Sequence, residues 1–445
     1  MKRLLLIVLT VMMISVGLFA NGGSEKTDSD SPVTITYWHL WGGSRTELID
    51  QLISRYTELH PNVIIEPTFT PPNELQKKVV QAAGTGTLPD VVQIHTGWYS
   101  SLMPETTLTN LDEYLKGDNI VIEDILVAAE AERCYFNGSV YSLPNVNAGA
   151  QGLFFYNKDL MLKAGLDPVA DAPSDWESFM EVSRTLVEKL NDDELNVIAW
   201  DPYQMAGQPA TIIFSYGAGF PTVSDDGKTS RFNDPGILAT AKAFEEYVDT
   251  VYGRFGGYKA LLEWNSRVAG ADTGAAQVQA FINEGQAFYV SGSWTIGQVK
   301  SGNSDMDFGI IPVPGFNGPH GGTAKNGWSY AISNNSEQKQ AAYDFLKFIT
   351  IDPAGNGAFC IAQGRPCPIS SVNNDPAYSA MGDMWTNLVA SMNTDIVPTA
   401  PDINQDALKP WLRDVPNRRI AGESIEDIYA SIHAQYQDYL DDLYN

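Results

Sequence analysis

Cysteine, basic residues and histidine are scarce in this 445-residue chain. Only Cys134, Cys360 and Cys367 are present. Three thiols exclude a disulfide-built scaffold and a CxxC metal or redox site, so stability must come from a core. Lys and Arg number 28 against 54 Asp and Glu, a net charge of −26. That field repels phosphate backbones and anionic lipid heads, and no Lys/Arg-rich segment interrupts it. Nucleic acid and membrane surfaces are excluded as partners, and neutral ligands are favoured over anions. The five histidines, His39, His60, His95, His320 and His433, fall in no metal-ligand spacing. No Walker A or dinucleotide glycine pattern occurs, and Gly327-Trp-Ser-Tyr-Ala331 ends in Ala where a nucleophile elbow needs Gly. No catalytic residue, metal or cofactor is therefore assigned. Paired carboxylates remain open, since so many acids always offer pairs, and an exported glycan hydrolase or lyase stands as the alternative.

Long apolar runs are missing too, save one at the start. Lys2 and Arg3 precede an apolar stretch from Leu4 to Ala20, with small residues at Ala20 and Gly22. Residues 1–22 read as a Sec-type export signal that is cleaved, with a retained anchor helix as the bland alternative. No cysteine follows to carry a lipoprotein anchor, so the expected compartment is a periplasm. In that oxidising setting Cys360 and Cys367 are close enough to pair, leaving Cys134 odd. A ring so short predicts a contribution of about 2.5 kcal/mol before strain. Three buried thiols are the alternative.

What is present is a globular body. Hydrophobic residues make up 44% of the chain, enough for roughly two or three domain-sized units. Val33, Ile35 and Tyr37 alternate with polar neighbours as a strand does. Ser44-Arg-Thr-Glu47 reads as a capping box opening a helix through Leu59, and Val63-Ile64-Ile65 as a buried strand. That β-α-β unit predicts a parallel sheet. Leu75 to Ala83 predicts a helix and Val91 to Ile94 a strand. A second region opens with a strand at Leu153 to Tyr156 and a helix capped by Ser174-Asp-Trp-Glu177. Helices at 237–251 and 275–282, strands at 286–290 and 308–313, and helices opened by Ser336 and Ser424 complete the pattern.

Aromatic residues fall at strand ends, where open sheets bind ligands. Trp41, Trp98, Trp294 and Trp328 lie in W-H-L-W-G-G, H-T-G-W, S-G-S-W and N-G-W. Their rings can lie on the C–H face of a sugar, while Asn145, Asn147, Thr96 and Ser293 can share its hydroxyls. Core packing is the commoner fate of any one tryptophan.

These segments, in order, resemble the family 1 extracellular solute-binding proteins that feed sugar-importing ABC transporters. The likeness runs from about Val33 to Ala430. It is carried by I-T-Y-W-H-L-W-G-G, L-P-D-V-V-Q-I, Y-S-L-P-N-V-N, F-Y-N-K-D-L-M-L-K-A-G-L-D-P, A-F-I-N-E-G-Q-A-F-Y-V-S-G-S-W, G-W-S-Y-A-I and Q-G-R-P-C-P. The resemblance implies an α/β fold of type II, two lobes of mostly parallel sheet flanked by helices and joined by a three-segment hinge. The first lobe would take 32–149 and 331–372, the second 150–330 and 373–445. Ligand contacts carried over from the family fall on Trp41, Asn73, Thr96, Asn147, Ser291, Trp294, Gly327, Trp328 and Arg365. The implied ligand is a neutral mono- or oligosaccharide, the partner an inner-membrane ABC permease, and the chain a monomer. A sugar-binding protein serving a chemoreceptor would look the same. Glycerol-phosphate binders of the group carry a basic residue in the C-terminal loop, where this chain has Asp402 and Asp406, so a phosphorylated ligand is disfavoured.

Overall fold

The computed structural model describes residues 32–147, 152–203, 209–224, 226–269, 274–320, 327–393 and 405–444. The export segment, the expected lobe boundary at 149–150, Asn326 and Asp402 lie outside the described residues. Among those described, no helix is long and apolar enough to cross a membrane.

The chain opens with β1 (Val33–His39), α1 (Thr46–Leu59) and β2 (Val63–Phe69). The alternation in β1 turns Ile35, Tyr37 and His39 into the core. Val33 pairs with Val63 in a parallel register, as the crossover requires. Gly43–Arg45 is a 3₁₀ turn, and α1 begins at Thr46, one step later than the spacing of Ser44 and Glu47 predicts, with Arg45 at its N-cap. Then come α2 (Pro72–Thr85), ended by Gly86 in the left-handed region, and β3 (Val91–His95), buried along its whole length. The sheet order is β2, β1, β3, Trp328–Ile332, Leu143–Pro144. The last two strands are antiparallel to their neighbours, so this sheet is only half parallel.

A second, three-stranded sheet places Leu153–Asn157 between Phe288–Ser291 and Phe308–Ile311, antiparallel to both. Here the expectation of a mostly parallel sheet is corrected. The helix Trp294–Gly302 does link two strands of the same direction, as a crossover should, but Leu153–Asn157 inserts between them. Sequence shows the crossover and conceals the insertion. The helix expected at Ser174 starts one residue later: Asp175 Oδ1 accepts from Ser178 N (2.9 Å) and Ser178 Oγ accepts from Asp175 N (3.2 Å). Ser424 caps Ile425–Tyr444 by accepting from Asp427 N (3.1 Å).

Apolar burial divides with the sheets. One core gathers side chains from residues 35–146 and 330–378. A larger one joins residues 154–313 to the C-terminal helices, with Leu408, Ile428 and Tyr436 fully buried. A smaller third core lies on the other face of the second sheet and includes Leu388.

Candidate functional site

A cavity of about 620 Å³ lies between the first core and the Trp294–Gly302 helix of the second sheet. The wall from the first core comprises Leu40 to Gly43, Arg45, Leu48, Pro72, Val146, Asn147, Trp328 and Ala362, Gln363 and Arg365. Trp294, Gly297, Gln298 and Ser301 face it. Those four follow a helical i, i+3, i+4, i+7 spacing and form one stripe, while Thr295, Ile296 and Val299 turn into the core. Gly297 faces the Gln363 carbonyl, which a Cβ there would meet in ordinary contact at 3.8 Å.

The wall from the first core is fixed by local chemistry. Asp90 accepts from Thr36 N (2.9 Å), Thr36 Oγ1 (2.6 Å) and Ser336 Oγ (2.6 Å), tying β1 and β3 to the chain returning at 336. Gln93 Oε1 accepts from Leu40 N (2.9 Å), holding the loop after β1 over the sheet. In the same wall, Gly364 adopts φ +62° and ends the helix Ala358–Gln363. Its left-handed conformation turns the chain so that Arg365 enters the cavity wall.

The sequence-designated residues separate into two groups. Trp41, Asn147, Trp294, Trp328 and Arg365 line the cavity. Trp41 is deeply set: its indole N–H donates to the Tyr330 hydroxyl (2.8 Å), and Phe359 meets its ring at an edge. Trp294 and Trp328 are half-buried, so part of each ring is open. Trp294 lies back over Gly292, where a Cβ would come within 2.0 Å of its ring. Trp328 stands perpendicular to His95 and Trp98.

Thr96, Trp98, Asn145, Ser291 and Gly327 lie behind this layer. Thr96 Oγ1 accepts from Gly327 N (3.0 Å), and Thr96 N donates to Gly327 O, which clips the start of the Trp328 strand to the end of β3. Trp98 is buried against Trp328. Asn145, buried, donates to the Trp328 carbonyl (3.1 Å) in the amide orientation that satisfies both its ends, its oxygen accepting from Trp41 Nε1 (3.2 Å). Ser291 ends its strand in the protein interior. Asn73 is the second residue of α2, beside Pro72 at the cavity rim. Arg45, Gln298, Ser301 and Gln363 were not singled out from sequence. The helical spacing from Trp294 would have found two of them.

Arg365 is 4% exposed. Asp375, ten residues on, caps a helix by accepting from Ala377 N (2.8 Å). Burial draws the Arg365 guanidinium down to about 10, with repulsion from Arg45 a smaller cause.

The disulfide expected between Cys360 and Cys367 is corrected: all three cysteines are free and buried. Cys360 Sγ donates to the Asn145 carbonyl (3.6 Å), and burial pushes the Cys367 thiol far up, with Cys360 beside it. Thiols so protected from ionisation exchange slowly. Denatured without reductant, the chain is expected to titrate three thiols; a single reactive thiol would show the pair closed.

Comparison with known proteins places this geometry in a family. The model of the bacterial extracellular solute-binding proteins matches residues 42–355. An ABC transporter extracellular-binding protein of Pyrococcus horikoshii is 23% identical over 89% of this chain and 87% of its own length. The maltotriose-binding protein of Pyrococcus abyssi is 25% identical over 77% of this chain and 68% of its own. The fold superposes on the sugar-binding protein MalE of Xanthomonas citri with a TM-score of 0.70 at 18% identity, covering 92% of this chain and 98% of that one. A binding protein solved with mannotriose gives 0.73 at 22%, covering 91% and 100%. The architecture is the two-lobe, type II fold of periplasmic binding proteins. With more than half its length matched by the family model, the chain belongs to the bacterial extracellular solute-binding proteins.

Proposed function

We propose that the chain is the receptor of an ABC-type importer, that its solute is a mono- or oligosaccharide, and that it delivers this solute to an inner-membrane permease. The observation that carries the reading is the cavity lining: two half-open tryptophans, Trp294 and Trp328, surrounded by the amides and hydroxyl of Asn147, Gln298, Gln363 and Ser301. Ring faces and short polar groups are what a sugar's C–H and O–H faces require. The relative named for maltotriose and the neighbour holding mannotriose support it. In this reading residues 1–22 direct export to a periplasm and are removed, and the protein works as a monomer. Residues 32–149 with 331–372 form one lobe, and 150–330 with 373–445 the other.

The described lining carries no carboxylate and no nucleophile beside a base, which supports recognition without bond cleavage as the task. Replacing Trp294 or Trp328 by alanine is expected to weaken saccharide binding roughly ten- to hundredfold, about 1–3 kcal/mol, with folding retained. Calorimetry on the tightest ligand from a saccharide panel measures this; normal binding by both folded variants would remove the platforms from the site. Closure is expected as well, because a ligand touching both walls rewards their approach. Small-angle scattering should show a smaller radius of gyration when loaded. Tight binding without contraction contradicts a clamp, and turnover of the ligand would favour a hydrolase.

A further inference from the structure

The cavity's own charge opposes that of the chain. Among the seventeen described residues that line it there are two arginines, Arg45 and Arg365, and no aspartate or glutamate. In a chain with nearly twice as many acids as bases, that segregation calls for a cause. Both guanidinium groups gather on one indole: Arg45 lies 5.0 Å and Arg365 5.8 Å from the Trp41 ring centre. Arg365 is almost wholly buried, and its Nε has no hydrogen-bond partner. Burial lowers the affinity of both guanidinium groups for their proton.

A buried, unpaired cation next to a second one is costly. The indole face offsets only part of that cost, since a cation–π contact is weak beside the penalty of burying an unpaired charge. An anion entering the cavity would satisfy the open guanidinium donors and remove the repulsion. Resting on the saccharide reading above, we propose that the solute is an acidic saccharide whose carboxylate, as in a uronic acid, is held by Arg45 and Arg365 beside Trp41. The planar fork of a guanidinium matches a carboxylate in a way that a lysine cannot reproduce. Trp294, Trp328 and the amides then receive the neutral part of the sugar. The chain's negative field favours neutral ligands at long range, but it is screened within about 8–10 Å, whereas contact inside a cavity is not.

The test is a matched panel: galacturonate oligomers against galactose oligomers, mannuronate against mannose oligomers, glucuronate-bearing against glucose oligomers, with glucose 1-phosphate as a separate arm. Thermal stabilisation followed by calorimetry on the full chain is expected to show an acidic member binding at least tenfold tighter than its neutral counterpart. Arg365→Gln and Arg45→Gln should each cut that preference at least tenfold, and Arg365→Lys should restore it only in part. The measurement uses whichever variants keep the wild-type melting temperature; Arg45, being half-exposed, provides one that does not disturb the interior. Stronger binding of neutral members, or an acid preference unchanged in the variants, overturns the proposal and leaves the saccharide reading standing. A preference for the phosphate arm overturns the carboxylate assignment. Absence of binding by every saccharide in the panel overturns both readings.

Discussion

Replacing Trp200 by alanine is expected to cost about 3–5 kcal/mol of folding stability, the largest single effect foreseen in this molecule. The indole is 1% exposed and ringed by Phe154, Phe179, Phe214, Phe244 and Tyr247, with ring centres 5.5–5.7 Å away. Its backbone is held independently of the side chain. The Tyr252 hydroxyl donates to Trp200 O (2.7 Å) and accepts from Trp200 N (3.0 Å). With the main chain pinned, the surroundings cannot collapse into the hole, which favours the upper half of that range. Urea denaturation would measure it, and a loss below about 1 kcal/mol would mean that this core repacks far more readily than its aromatic density implies.

Acidification should weaken the first core through His39. This side chain stacks on Tyr37 (5.1 Å), and its Nδ1 accepts from Trp41 N (3.2 Å). Burial draws its pKa from 6.5 to about 4, against a smaller opposing pull from Asp50. The folded state therefore keeps the ring neutral where the unfolded chain is already protonated. The stability from this group is present above pH 6.5 and is lost as pH falls toward 4. Between pH 7 and pH 5 the loss should be about 2 kcal/mol. His39→Gln retains an acceptor for Trp41 N without a proton to gain, so its stability should change less over the same interval. Equal pH slopes for the two proteins, measured by urea denaturation, would show that His39 is already solvated. Because Trp41 follows on the same loop, ligand affinity is expected to decline over the same interval.

Much of the fold could be read in advance because its signals are local. The alternation of Val33, Ile35 and Tyr37 and the apolar spacing of 48–59 need only neighbours to be recognised, and both elements formed. Errors arose where a distant strand or turn decided. The antiparallel place of Leu153–Asn157 depends on pairing with residues more than a hundred positions away. Gly43, in the left-handed region, opens a 3₁₀ turn where the spacing predicts the start of a helix. The same division runs through the tryptophans, since all four occur in similar strand-end motifs, yet Trp98 is packed behind Trp328 while Trp294 and Trp328 keep part of their rings open.

By itself the sequence determined the class of protein: an α/β body, no metal or nucleotide motif, and ordered segments resembling a solute-binding family. These properties depend on residue identity and short spacings, which folding does not alter. Only the tertiary structure decided the character of the cavity. The sequence carries an excess of acids that argues for a neutral ligand, but charge acts over short distances inside a protein, and what a ligand meets is the few groups that line its site. Chain returns at Gly364 and after β1 bring Arg365 and Arg45 to one indole from positions 320 residues apart, with no acid among the described residues of the lining. No spacing along the chain could have announced that meeting, because it is made by how two separate segments pack.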